Sequence, residues 1–161
     1  MLSRYIKRIQ GVMDLHQETR DVKELMIQWN SLRVTEAYRC VKFTDQRDEA
    51  LARWREHDPH NDQDEHFVEH RMARAATALA EVIELQERSD ASFFACGQTV
   101  EAVAAMSPKE CKKSLSQVRG VCDGAIRQDM RYYTTLTSTY QHAVKELVEF
   151  IDERLDPETH G

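Results

Sequence analysis

The stretch Ser107-Pro108-Lys109-Glu110 decides how the second half of this 161-residue chain folds. Serine is a favoured N-cap residue, proline suits the first helical position, and an acidic residue at the third position completes a capping box. The motif predicts a helix that begins at Pro108 and runs to about Leu155, where Pro157 and a polar tail, residues 156–161, end it. Because the junction is short, the helix before it is expected to fold back as an antiparallel neighbour.

A second break lies upstream at residues 57–61, His-Asp-Pro-His-Asn. Proline disfavours helix at the residue before it and cannot donate to the helix ladder. Asp62 is then expected to be an N-cap, with Glu65 as its partner in a capping box. Further upstream, a helix start at Thr44-Asp45 leaves open whether the first helix is one element or two.

Apolar residues recur along the chain at steps of three and four, which is the spacing of one helix face. The repeat is nearer 3.5 than 3.6 residues and favours left-handed supercoiling. We predict an all-α single domain, residues 1–161, formed as an elongated antiparallel bundle or coiled coil of three long helices. The helices are expected over about 2–56, 63–106 and 108–155, with a fourth helix if the first is broken near residue 44. The predicted seam positions, with Ser89 or Asp90 and Asp129 as polar members, are Leu2, Tyr5, Ile6, Ile9, Val12, Met13, Leu15, Val22, Leu25, Met26, Trp29, Leu32, Cys40, Phe43, Ala50, Leu51, Trp54, Met72, Ala75, Leu79, Val82, Gln86, Phe93, Cys96, Val100, Val103, Leu115, Val118, Cys122, Ala125, Ile126, Tyr133, Leu136, Tyr140, Ala143, Leu147, Ile151 and Leu155.

The composition narrows the classes of protein that fit. The chain is 41% hydrophobic and 31% charged, with only 5 Gly and 3 Pro, which is typical of long helices. A formal net charge of −6 argues against a general nucleic-acid binder, because phosphate contacts need clustered Lys and Arg. No apolar run approaches the roughly 18–20 residues that span a bilayer, and no secretory h-region is present. We expect a cytoplasmic protein without a cofactor.

The segment around residues 57–70 is the richest in potential metal ligands. His66 and His70 are four residues apart and therefore share one helical face, where two imidazoles and a carboxylate such as Glu69 would bind a divalent metal. The sequence has no HExxH and no ExxH motif, so neither a metalloprotease site nor a di-iron bundle is indicated. The simpler interpretation is an acidic, solvated helix start, because carboxylates are stabilised by the helix dipole there.

Residues 1–13 form a second candidate site. Leu2, Tyr5, Ile6 and Ile9 fall on one helical face, and the basic residues Arg4, Lys7 and Arg8 lie largely on the other. Such a helix would bind an anionic membrane surface. It also resembles a mitochondrial targeting helix, which makes a mitochondrial location the alternative to a cytoplasmic one. The simpler interpretation is a first turn that packs on a neighbouring helix.

None of the four cysteines, Cys40, Cys96, Cys111 and Cys122, belongs to a CxxC motif, and buried reduced thiols are the simplest expectation. If the helices fold back at Ser107-Pro108, Cys96 and Cys122 lie at similar distances from the turn. They would then face each other, and a disulfide there would resemble the helical hairpins of the mitochondrial intermembrane space.

The segment of residues 38–54 resembles part of the sorting-nexin BAR domains. In that family a Tyr, a Val-Lys pair, an Arg, a Leu and a Trp recur on a long helix; here they are Tyr38, Val41-Lys42, Arg47, Leu51 and Trp54. The resemblance covers about one tenth of the chain. It implies three long antiparallel helices and a dimer that binds curved membranes. This chain is shorter than a typical BAR domain and lacks an obvious run of Lys and Arg for a concave membrane face.

Three functions follow from these patterns. The first is a non-enzymatic helical scaffold or accessory subunit that assembles with partner helices, or with itself, in a larger complex, because long helices bury too little apolar surface within one chain. The second is a BAR-like dimer that binds membrane surfaces. The third is a metal-binding helical bundle built on His66 and His70.

Overall fold

The chain is all α-helical, as the sequence predicts. The computed structural model describes residues 2–57 and 61–155, and within these residues it contains no β-strand. Helix α1, Leu2–Glu56, is unbroken, so the alternative of a division near residue 44 is wrong. Helix α2, Asp62–Ala102, ends in one 3-10 turn, Val103–Ala105. A third helical segment then consists of α3, Pro108–Gly124, a π-helical turn, Ala125–Asp129, and α4, Met130–Leu155.

Both helix starts after the breaks are capped by side chains. The backbone N–H of Glu110 donates to Oγ of Ser107 at 3.3 Å, with Pro108 at the first helical position, which confirms the predicted cap. The predicted N-cap at Asp62 is wrong by one residue. The backbone N–H of Asp64 donates to Oδ1 of Asn61 at 2.7 Å, and Nδ2 of Asn61 donates to the Asp64 carboxylate at 3.0 Å. Residues 58–60 and the tail 156–161 lie outside the described residues.

The helices contribute to two compact units, where the sequence predicts one domain. Unit 1 contains residues 2–33 and 87–131, and unit 2 contains residues 34–57, 61–86 and 132–155 among those described. Each unit therefore contains a part of every helical segment.

Aromatic and charged side chains join α1 to α2 in unit 1. The rings of Trp29 and Phe93 meet edge to face at 5.4 Å, and the guanidinium of Arg33 lies 4.5 Å from the centre of the Phe93 ring. Arg33 also forms an ion pair with Asp90. Because earlier residues of α1 meet later residues of α2, with Met26 against Gly97, the two helices run antiparallel here.

Unit 2 is centred on an apolar cluster contributed by α1, α2 and α4. Ion pairs at its surface set the direction of α2 against α4, because Arg74 meets Glu146 at 3.1 Å and Arg154 meets Asp64 at 3.1 Å. These two helices are therefore antiparallel. The buried members of the cluster are Ala50, Leu51, Trp54, Val68, Leu147, Phe150 and Ile151.

The π-turn displaces one buried position of the third segment by one residue. Buried positions up to Ala125 follow steps of three and four, but the next one is Met130, five residues on. A π-turn adds one residue to a helical turn. As a result Asp129, which the sequence places on the seam, is exposed, and Met130 is buried in its place with 3% of its surface exposed. The predicted seam position of Asp129 is therefore wrong.

Candidate interaction surface

The first turns of α1 carry the largest departure from the predicted seams. All six apolar residues of this segment are exposed, although the sequence assigns them to a buried stripe. We call these residues the α1 stripe: Leu2 (72% exposed), Tyr5 (62%), Ile6 (46%), Ile9 (43%), Val12 (60%) and Met13 (63%). An exposed patch of contiguous large apolar side chains is typical of a surface that contacts a partner or a membrane.

The helical register explains why the stripe is exposed. With about 100° per residue, the six stripe residues fall within an arc of about 120° on α1. The residues of α1 that pack in unit 1, such as Val22 and Trp29, centre about 150° away from that arc. The sequence pattern counted both sets as one seam because each obeys steps of three and four. The two sets differ only in the angle at which they project around the helix axis.

The other side of these turns is cationic. Arg4, Lys7 and Arg8 are exposed, and no acidic residue occurs before Asp14. None of these three cations forms an ion pair or a side-chain hydrogen bond with another residue in the part of the chain that the structure describes. Their charges are therefore available to an external anionic surface.

Charge is also divided unequally between the two units. Residues 1–33 and 87–131, the sequence of unit 1, contain 13 Lys and Arg against 10 Asp and Glu, a net charge of +3. Residues 34–86 and 132–161, the sequence of unit 2, contain 9 against 18, a net charge of −9. The overall charge of −6 thus conceals a basic unit, and the α1 stripe belongs to it.

The proposed metal ligands are not brought together as a site. His66, Glu69 and His70 are all exposed on α2. Within residues 2–57 and 61–155 there is no group of three or more His, Cys, Asp or Glu side chains that could hold a metal ion. Asp64, from the same acidic segment, instead donates its backbone N–H to the N-cap residue Asn61 and pairs with Arg154. Asp58 and His60 lie outside the described residues.

Cys96 and Cys122 lie side by side in unit 1. Both are buried free thiols in the structure, and each lies close enough to the other to affect its pKa. Burial raises the pKa of the Cys96 thiol. Burial, with the neighbouring Cys96, raises the pKa of Cys122 to about 11. At neutral pH both thiols are therefore protonated.

The residues of the BAR-like segment divide between surface and core. Tyr38 and Val41 are 73% and 58% exposed, whereas Leu51 and Trp54 belong to the apolar cluster of unit 2.

Unit 2 contains a buried polar cluster that the apolar pattern of the sequence does not predict. Glu36 is 7% exposed and accepts hydrogen bonds from Nη1 of Arg39 at 3.0 Å and from Oγ1 of Thr134 at 3.2 Å. A glutamate on a helix is normally read as solvent-exposed. Glu36 lies four residues before Cys40 and seven before Phe43, and this spacing places it on the same helical face as these two seam residues.

No family model matches the chain, and searches of curated proteins and of solved structures return no significant match. Among the described residues, no helix has an apolar stretch long enough to cross a membrane.

Proposed function

We propose that this protein is a non-enzymatic helical scaffold that the α1 stripe holds at an anionic membrane surface. The observation that carries the proposal is the exposed arc of six large apolar side chains on turns whose only charges are Arg4, Lys7 and Arg8. An interfacial helix buries its apolar face at the boundary of headgroups and acyl chains, while basic residues on its polar face attract anionic lipid. In this proposal the α1 stripe binds the membrane, and the remaining helices of the two units form the scaffold.

Charge complementarity favours a membrane over an apolar protein groove as the occupant. Each Lys or Arg near an anionic bilayer contributes about 1 kcal/mol, and this attraction falls off within a Debye length of about 10 Å. All three cations of residues 2–13 lie on the same three turns as the stripe, and unit 1 has a net charge of +3. The net charge of −9 in unit 2 would be repelled by the same surface.

Vesicle co-sedimentation tests the proposal. Wild-type protein should sediment with phosphatidylcholine vesicles that contain phosphatidylserine and remain in the supernatant with pure phosphatidylcholine. Ile6→Gln with Ile9→Gln should weaken binding about tenfold or more, because two large apolar side chains no longer favour insertion. Val121→Gln is the matched control, because Val121 is an exposed apolar residue of α3 (45%) outside the stripe. Equal binding by the stripe variant, or no binding to phosphatidylserine vesicles, contradicts the proposal.

A second candidate function is assembly with partner helices, and a different pattern on α1 favours it. Arg20, Ile27, Val34, Val41 and Asp48 follow one another at intervals of seven residues, and all five are exposed. This series is self-complementary in an antiparallel pair: Val34 meets its counterpart, Ile27 meets Val41, and Arg20 meets Asp48. A coiled-coil seam has two apolar positions in each heptad, and this series supplies one of them over its three central members. A second copy of this chain therefore fits as the partner helix.

Sedimentation velocity over a range of concentrations tests this second candidate. A dimer that dissociates on Val34→Glu, while Val121→Glu leaves it intact, would support self-association. A protein that stays monomeric at all concentrations would remove the second candidate and leave the first unaffected.

A further inference from the structure

A cavity that is open to solvent and lined mostly by exposed residues lies beside α1, away from the centre of the α1 stripe. It has a volume of about 680 Å³ and lies between α1 and the start of α3. Small-molecule sites typically have volumes of about 300–1,000 Å³. Its apolar walls are Val12, Leu15 and Pro108, and Gly11 leaves part of the α1 wall open, because a Cβ atom built there would meet nothing within 4 Å.

The charged groups that line the cavity define the ligand. Arg8, Lys109 and Lys112 contribute three positive charges, and Asp14 and Glu18 contribute two negative ones, so the lining has a net charge of +1. None of these three cations is paired with another residue in the described ranges 2–57 and 61–155. A single net positive charge beside apolar walls complements a monoanion with an alkyl chain. A polyphosphate would instead be repelled by the two carboxylates.

A second cavity gives an alkyl chain room to extend. It has a volume of about 550 Å³ and shares Val12 and Leu15 with the first. Its other walls include Val100 and Val103 of the segment that ends α2 and the buried thiol residue Cys111.

We propose that this cavity binds the anion of a fatty acid, with the carboxylate held by Arg8, Lys109 and Lys112 and the alkyl chain along Val12 and Leu15. The inference goes beyond the proposed function. It concerns a single soluble ligand in the cavity, which shares Arg8 and Val12 with the surface proposed to bind the membrane.

Calorimetric titration with dodecanoate, below its micelle concentration, is the direct test. We expect saturable binding of one anion per chain and no binding of dodecyltrimethylammonium, which has the same chain length and the opposite charge. Equal binding of the two amphiphiles overturns the proposal, because the cations would then have no role.

Substitutions locate the ligand. Gly11→Leu places a side chain in the cavity, where a Cβ atom at position 11 meets nothing within 4 Å, and it replaces a poor helix former with a good one; it should weaken dodecanoate binding about tenfold or more without lowering the melting temperature. Lys112→Gln should weaken binding about twofold to fivefold, whereas Lys113→Gln, one residue outside the lining, should not change it. Unchanged affinity of Gly11→Leu overturns the proposal.

One further variant separates this site from the stripe. Ile6→Gln with Ile9→Gln removes apolar area from the stripe and leaves every cavity residue in place. Retained dodecanoate binding supports the cavity, even if vesicle binding is lost. Loss of dodecanoate binding places the ligand on the stripe and overturns the proposal. Failure of vesicle binding by the wild type would contradict the proposed function alone.

Discussion

Replacing Met130 with alanine tests the register that the π-turn imposes on the third helical segment. Met130 is 3% exposed, and truncating a buried methionine to alanine typically costs about 2–5 kcal/mol through lost transfer energy and the cavity left behind. The neighbouring Asp129 is exposed, so Asp129→Ala should change stability by no more than about 0.5 kcal/mol. For a chain of this length, each 1 kcal/mol corresponds to a shift of about 2–4 °C in the melting temperature.

The assay is thermal unfolding followed by circular dichroism at 222 nm. We expect Met130→Ala to melt well below the wild type, and Asp129→Ala to melt close to it. An uninterrupted seam with steps of three and four predicts the opposite order, because it places position 129 in the core. A larger loss from Asp129→Ala than from Met130→Ala would therefore refute the shift of one residue.

Two further predictions concern stability. Ser107→Ala should cost about 0.5–2 kcal/mol, because the backbone N–H of Glu110 loses its acceptor, while Ser116→Ala on the exposed side of α3 should be nearly neutral; urea titrations of both variants measure the difference. The pKa of Cys122 is raised from 9.0 to about 11, so the folded state holds the thiol proton more tightly than the unfolded state does. The stability that this difference contributes is complete below pH 9 and is lost as the pH rises towards 11. Melting temperatures should fall over that window, and Cys122→Ala should show a smaller fall; an identical pH profile for wild type and variant would exclude this origin.

The helix boundaries follow closely from local chemistry. Ser107 caps α3 because its hydroxyl reaches the third backbone N–H, and that geometry depends only on neighbouring residues. The cap of α2 lies one residue before the position that the sequence predicts, because Asn61 and Asp62 are both good N-caps. Ser89, one of the two polar residues expected on the α2 seam, is buried with 4% exposure, as the periodicity requires.

The features that could not be predicted depend on phase and on neighbours. The α1 stripe and the packed side of α1 have the same spacing, and only the position of α2 and α3 decides which side is covered. The π-turn adds one residue to the helix, and no Gly or Pro marks its position uniquely in the sequence. Met130 is therefore buried where the pattern predicts Asp129. Glu36 is buried because Arg39 and Thr134 satisfy its carboxylate, and Thr134 lies far away in the sequence.

Exchange of charges on the first turns of α1 tests the membrane proposal most directly. Arg4→Glu with Lys7→Glu leaves the α1 stripe and the cavity lining unchanged and changes the net charge of residues 2–13 from +3 to −1. Lys112→Glu with Lys113→Glu alters the net charge of the chain by the same amount, at the start of α3. Co-sedimentation with phosphatidylserine-containing vesicles should fall at least tenfold for the α1 variant and less for the α3 variant. Equal binding by the α1 variant and the wild type would contradict the account.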